Sequence, residues 1–184
     1  MESNICIPSL FFSEAGQIAK KSSWIFLKNA KCAVPFSNLN EMKSKIGPKQ
    51  IEKDLIYLEM SQIWAKNSHC NRRKVGCLIV KNQSIISDGY NGTPSGFSNP
   101  CEDCNDITYS SVLHAEANAI TKLAKGTQTS EGSTLYVTLS PCYECAKLII
   151  QSGISRVVFQ ELYRKTDSLS LLVKGGVELV RIKI

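Results

Sequence analysis

His114 and Glu116 stand two apart, and 26 residues beyond Glu116 comes Cys142 of Pro141-Cys142-Tyr143-Glu144-Cys145. Two thiolates and one imidazole make a three-ligand zinc set whose fourth position stays open to water, the arrangement of catalytic rather than structural zinc. Cys142 and Cys145 are spaced i, i+3, so on one helical turn their sulfurs share a face. At a helix start, Ser140 suits the cap and Pro141 the first position, while the free N–H groups and the dipole favour thiolate. Within a helix His114 and Glu116 would point to nearly opposite faces, so the pair makes sense only where the chain enters a helix, as Ala115, Ala117, Ala119 and Leu123 suggest. A carboxylate beside an activated water can take its proton and pass protons to a substrate, which makes Glu116 a shuttle and not a ligand. A lone Cys-x-x-Cys reads as readily as a zinc knuckle or a redox pair; the upstream His-x-Glu turns the balance toward catalysis.

The elements that must position these residues follow from the pattern around them. Gly47-Pro48 breaks the chain, and Ile51, Leu55, Leu58 and Ile63-Trp64 then recur at helical spacing, which predicts an amphipathic helix. Residues 75–80 and 84–88 read as β-rich runs joined by Lys81-Asn82-Gln83 in a hairpin. A Gly-, Asn- and Pro-rich loop follows over 89–96. Helices fit 115–125, 142–152 and 168–174, and strands fit 134–139, 156–160 and 177–182. Strands alternating with helices of this length predict an α/β sheet covered on both faces.

Composition bounds the function. The 184 residues are 43% hydrophobic and 21% charged, as in an ordinary folded domain, and carry a net charge of +6. Residues 1–49 hold seven Lys against three Glu, and 50–184 hold fifteen Lys and Arg against thirteen acids. The domain over 50–184 is therefore nearly balanced, which argues against a surface built for long nucleic acid. No apolar run approaches a membrane span or a signal-peptide core, so the expectation is a cytoplasmic protein without a membrane partner. Its eight Cys are expected as reduced thiols. Residues 1–49 read as an appended N-terminal extension: a disordered segment, a partner-binding arm or an organelle address.

The pattern His-x-Glu followed by Pro-Cys-x-x-Cys is that of zinc nucleobase deaminases. From about Ile51 to Ile184 the chain resembles the cytidine and deoxycytidylate deaminase family, and within it the deoxycytidylate branch. The resemblance lies in Cys70-x-Arg72-x-x-Val75-Gly76, in Gly89-Tyr90-Asn91-Gly92-Thr93-Pro94-x-Gly96, in His114-Ala115-Glu116-Ala117-Asn118-Ala119-Ile120, and in the stretch from Tyr136 through Cys142 to Ile154. It implies a three-layer α/β/α fold with a mixed five-stranded sheet, and zinc-dependent hydrolysis of dCMP to dUMP and ammonia, a source of the dTMP precursor. The alternatives are deamination of another cytosine nucleotide or nucleoside, or of a polynucleotide base such as a tRNA adenosine.

The same resemblance implies that Asn91 contacts the sugar and that Tyr163 lies beside the substrate. Arg72, Arg164 and Lys165 are the cations at hand for a 5′-phosphate. Cys70, Cys101 and Cys104 are candidates for a second, structural zinc, with His69 or Cys77 as the fourth ligand. The loop Gly89, Tyr90, Asn91 and Gly92 resembles the segment relatives use for an effector, which implies a homo-oligomer, hexameric in relatives, regulated by dCTP and dTTP with Mg2+.

Overall fold

The computed structural model describes residues 25–27 and 47–184. The elements are β1 (Ile25–Leu27), α1 (Pro48–Ala65), β2 (Gly76–Lys81), β3 (Ser84–Tyr90), α2 (Ala115–Leu123), β4 (Thr134–Leu139), α3 (Tyr143–Gln151), β5 (Arg156–Glu161), α4 (Asp167–Lys174) and β6 (Glu178–Arg181). They form one mixed sheet in the order β1-β6-β5-β4-β2-β3. The central β4, β5 and β6 run parallel, joined by crossovers through α3 and α4. Strands β2 and β3 form an antiparallel hairpin, β2 pairing also with β4, and β1 adds an antiparallel strand at the β6 edge. The five expected strands are thus all present, and Ile25–Leu27 joins them as a sixth. The rest of the reading of residues 1–46 lies outside the described residues.

Alternation along each strand separates two cores. Cys77 and Ile79, with Leu135, Val137, Val157 and Phe159, face α2, α3 and α4. Leu78 and Val80, with Tyr136, Val158 and Val180, face Leu58 of α1. This is the three-layer arrangement. In the β2–β3 hairpin, Asn82 and Gln83 both take positive φ, 50° and 65°, the twist that a two-residue turn between antiparallel strands needs.

Helix α1 keeps Leu58 buried and Leu55 packed against the core, as the apolar spacing predicts, but turns its Ile63-Trp64 end outward. Its buried residues are Asp54, Leu58, Ser61 and Ala65, whereas Ile63 is 60% exposed. Two contacts explain the turn of the helix. A Cβ on Gly76 would lie 2.0 Å from the Ser61 carbonyl oxygen and 2.6 Å from the Ala65 nitrogen, so only small side chains fit where α1 crosses β2. Asp54, 1% exposed, takes two hydrogen bonds from the Arg156 guanidinium at 2.9 and 2.6 Å and one from the Tyr136 hydroxyl at 2.7 Å. Polar pairing at Asp54 acts together with the packing of Leu58 to set which face of α1 meets the sheet.

Removing one partner of such a buried pair strands the other charge, so Asp54→Ala is expected to lower stability by about 3–5 kcal/mol. Urea unfolding checks this, and a loss under about 1 kcal/mol would show that Arg156 finds water or Glu178 instead.

Candidate active site

Both halves of the site sit at helix starts. His114 is the residue before α2, with extended backbone (φ −71°, ψ 155°), and Glu116 falls in the first turn. Extended backbone at His114 and helical backbone from Ala115 turn the two side chains toward one another, which a continuous helix would prevent. Cys142 is the corresponding residue before α3, and Cys145 lies in that helix's first turn. Ser140 does not cap α3 as its position suggested. The Cys142 sulfur takes that place, accepting from the Cys145 N–H at 3.5 Å, while Ser140 Oγ accepts from the Tyr163 N–H at 2.7 Å. The helix begins two residues later than a Ser cap would set it, because the sulfur serves as both cap and ligand.

His114 Nδ1 stands 3.3 Å from the Cys142 Sγ and 3.4 Å from the Cys145 Sγ. Among the described residues this is the one group of three His, Cys, Asp or Glu side chains whose donor atoms lie within 4.8 Å of one another. The donor set fits zinc: two sulfurs, one imidazole nitrogen, and no fourth protein ligand.

Electrostatics in the group follow its crowding. The Cys142 thiol is held down at about 3, first by the hydrogen bond from Cys145, then by His114 and the Cys145 N–H, against the opposing effect of burial. Cys145 is pushed up by its bond to Cys142 and by burial. His114 is raised, chiefly by its hydrogen bond to Cys142. Glu116 is 4% exposed, and burial raises its carboxyl above the ordinary range. A carboxyl shifted this way holds a proton more readily near neutrality than an exposed one, as a shuttle requires.

His114, Glu116 and Cys142 line a cavity of about 660 Å3. Val75, Ala115 and Leu139 supply apolar wall, and Arg72, Arg73, Tyr163 and Arg164 supply polar wall. Of the cations expected for a phosphate, Arg72 and Arg164 reach this cavity and Lys165 is not part of its lining. Arg73, which sequence reasoning passed over, does line it, and pairs with Glu161 at the end of β5. The Arg72-Arg73 doublet was the available signal. Thr108, Tyr109 and Ser110 also line the cavity, and nothing in their types or spacing marked them.

Asn91 lines the cavity with its amide already engaged: Oδ1 accepts from the Val75 N–H and Nδ2 donates to the Arg73 carbonyl, both at 2.8 Å. One N–H and one lone pair remain. The glycines beside it have packing duties. Gly89 and Tyr90 belong to β3, and a Cβ on Gly89 would lie 2.1 Å from the Ala115 oxygen and 2.7 Å from the Ala119 nitrogen. The N–H groups of Asn91 and Gly92 donate to Val75 and Leu113, so this loop does not form the open anion cradle its glycines suggested.

The thiols expected to hold a second zinc have other surroundings. Cys70 and Cys101 form a disulfide, which corrects the expectation of eight reduced thiols. Cys104 is a free, exposed thiol, His69 is exposed, and Cys77 is buried in β2 beneath α2. With two of its sulfurs bonded to each other, the set Cys70, Cys101, Cys104 and His69 gathers no ligand group.

A three-layer sheet carrying an open His-Cys-Cys set beside a buried carboxylate defines a zinc-binding domain of the nucleobase-deaminase class. The profile of the cytidine and deoxycytidylate deaminase zinc-binding region matches residues 51–161, more than half of the chain, and the chain belongs to that family. The deoxycytidylate deaminase of Saccharomyces cerevisiae is 34% identical over 134 residues, which cover 67% of this chain and 43% of that protein. That of Enterobacteria phage T4 is 32% identical over 168 residues, covering 68% of this chain and 87% of the phage protein. Thus the chain spans under half the length of the yeast relative and most of the phage one. The crystal structure of dCMP deaminase from cyanophage S-TIM5 in complex with dCMP and dUMP is 42% identical, with a TM-score of 0.69, covering 74% of this chain and 98% of that one.

Metal analysis tests the ligand set. The zinc-replete protein is expected to lose its zinc at this site on Cys145→Ala, since two ligands hold zinc far more weakly than three; retention of full stoichiometry would place the metal elsewhere.

Proposed function

We propose that this protein hydrolyses dCMP to dUMP and ammonia. The observation that carries the reading is the convergence of His114, Cys142 and Cys145, of which His114 and Cys142 line one cavity with buried Glu116 and with Arg72, Arg164 and Tyr163. The first group suits the base and the second suits a 5′-phosphate. Support also comes from the cyanophage relative, whose structure carries dCMP and dUMP.

Zinc bound at the three donors supplies a Lewis acid and an acidified water. The remaining work belongs to the chain. Glu116 accepts a proton from the attacking water and passes it to N3 of the cytosine ring, then takes the proton of the new C4 hydroxyl and delivers it to the 4-amino nitrogen, so that the C4–N bond breaks, ammonia leaves and C4 becomes a carbonyl. Burial keeps this carboxylate out of bulk water, so its proton goes to the substrate. Val75, Ala115 and Leu139 give the base an apolar wall. The Asn91 amide, with one N–H and one acceptor position remaining, serves a sugar hydroxyl, and its other bonds to the backbone of Arg73 and Val75 hold it in place. Tyr163 is fixed through its backbone N–H by Ser140, and Arg164 stacks near its ring, 5.5 Å from the centroid, so the two present one surface to the phosphate end.

The family reading extends to a homo-oligomer controlled by dCTP and dTTP with Mg2+. Velocity against dCMP is then sigmoidal without dCTP and nearly hyperbolic with it. An oligomer with hyperbolic kinetics in both conditions would remove control from the reading.

Two substitutions test the chemistry. Glu116→Gln is expected to keep its zinc and lose nearly all turnover, because only the proton carrier is gone; a fully active variant would overturn the assignment. Arg72→Ala and Arg164→Ala are expected to cost about 1.5–3 kcal/mol of transition-state stabilisation on dCMP and little on deoxycytidine. Equal losses on both substrates would remove the phosphate role.

A further inference from the structure

Arg72 belongs to a short exposed segment between α1 and β2. Such a segment has no helix or strand ladder to hold it, yet a cation that selects a phosphate must be held in place for its charge to count. The structure supplies the hold from another part of the chain. Glu102 Oε2 accepts from the Asn71 N–H at 3.1 Å, and Oε1 accepts from the Arg72 N–H at 3.3 Å. Beyond it, Thr108 Oγ1 accepts from Arg72 Nη1 at 3.2 Å, so the same loop holds both ends of the arginine. The Cys70–Cys101 bond ties the two segments together one residue before each of these contacts begins. Glu102 and Thr108 are themselves bridged as a short antiparallel pair, which fixes their spacing.

We infer that Glu102 is a positioning residue for substrate selection: its carboxylate, spread over two backbone N–H groups, sets the segment that aims Arg72 at the 5′-phosphate. The inference rests on the dCMP reading above. Glu102 need not touch the nucleotide. Two consecutive N–H groups each donate to one oxygen of this carboxylate, so its acceptor atoms are occupied by backbone while the side chain lines the cavity. The alternative role for an acid at this wall is repulsion of highly charged nucleotides, and that role predicts the opposite sign on dCMP.

Steady-state kinetics on dCMP and deoxycytidine separate these cases. Glu102→Ala is expected to raise the KM for dCMP about tenfold with kcat at saturation largely kept, while kcat/KM for deoxycytidine changes less than about twofold. Glu102→Gln, which retains one accepting oxygen, falls between Ala and wild type. Added to Arg72→Ala, Glu102→Ala costs nothing further on dCMP, because it acts through that arginine. If Arg72→Ala is selective for dCMP but Glu102→Ala is neutral or lowers KM, the positioning role fails and the phosphate reading stands. If Arg72→Ala shows no selectivity, the phosphate reading fails and the inference falls with it. Losses that add in the double variant, or that are equal on both substrates for Glu102→Gln, would make Glu102 a structural residue only.

Discussion

The approach of α2 to the β2–β3 hairpin is the constraint on which the site depends. Helix and strand lie so close that a single methyl on Gly89 would meet the backbone of Ala115 and Ala119. Small residues on both sides make this possible: Ala115 and Ala119 are fully buried against the sheet. The contact brings the first turn of α2 down to the strand backbone and carries His114 to the sulfurs at the start of α3. Asn118 locks the same approach from the helix side, donating from Nδ2 to the Tyr90 carbonyl at 3.0 Å. A wider gap would separate His114 from the Cys142–Cys145 pair, which its own helix turn holds together.

Each metal donor is placed by the start of a helix and not by the middle of an element. The two helices present N–H groups, and the positive ends of their dipoles, to a site that gathers negative charge as thiolates and carboxylate. The opposite layer plays no part in the chemistry. There α1 is held by Asp54, Arg156 and Tyr136, a closed polar set whose bonds pass through β4 and β5. Strands β4 and β5 lead on into Pro141-Cys142 and Tyr163 at their far ends, while the clamp grips Tyr136 near the start of β4 and Arg156 at the first residue of β5.

Motif spacing made the metal donors legible because each constraint is local: a Cys-x-x-Cys turn and a His-x-Glu helix entrance determine their own geometry. The alternation of strands with helices likewise predicted a sheet covered on both faces, and two cores lie on its two sides. Contacts between distant segments were not legible. Ser140 has the type of a cap, but its oxygen is taken by Tyr163, far along the chain. Ile63 fits a helical stripe, but the burial of Asp54 by Arg156 turns it outward. Glu102 and Thr108 matter through Arg72, thirty or more residues away, and no spacing rule connects them. Glycines misled for a related reason: Gly89 serves helix packing, which a sequence does not distinguish from a phosphate-binding turn.

X-ray absorption at the zinc edge, on protein loaded with one equivalent of zinc, tests the central claim directly. An open catalytic site requires two sulfur scatterers at about 2.3 Å, one imidazole nitrogen at about 2.0–2.1 Å, and a fourth light atom from water. That shell, lost on Glu116-preserving removal of Cys142, is the result the account requires. A shell of three or four sulfurs would put the metal among other cysteines, and would contradict a catalytic centre built from His114, Cys142 and Cys145.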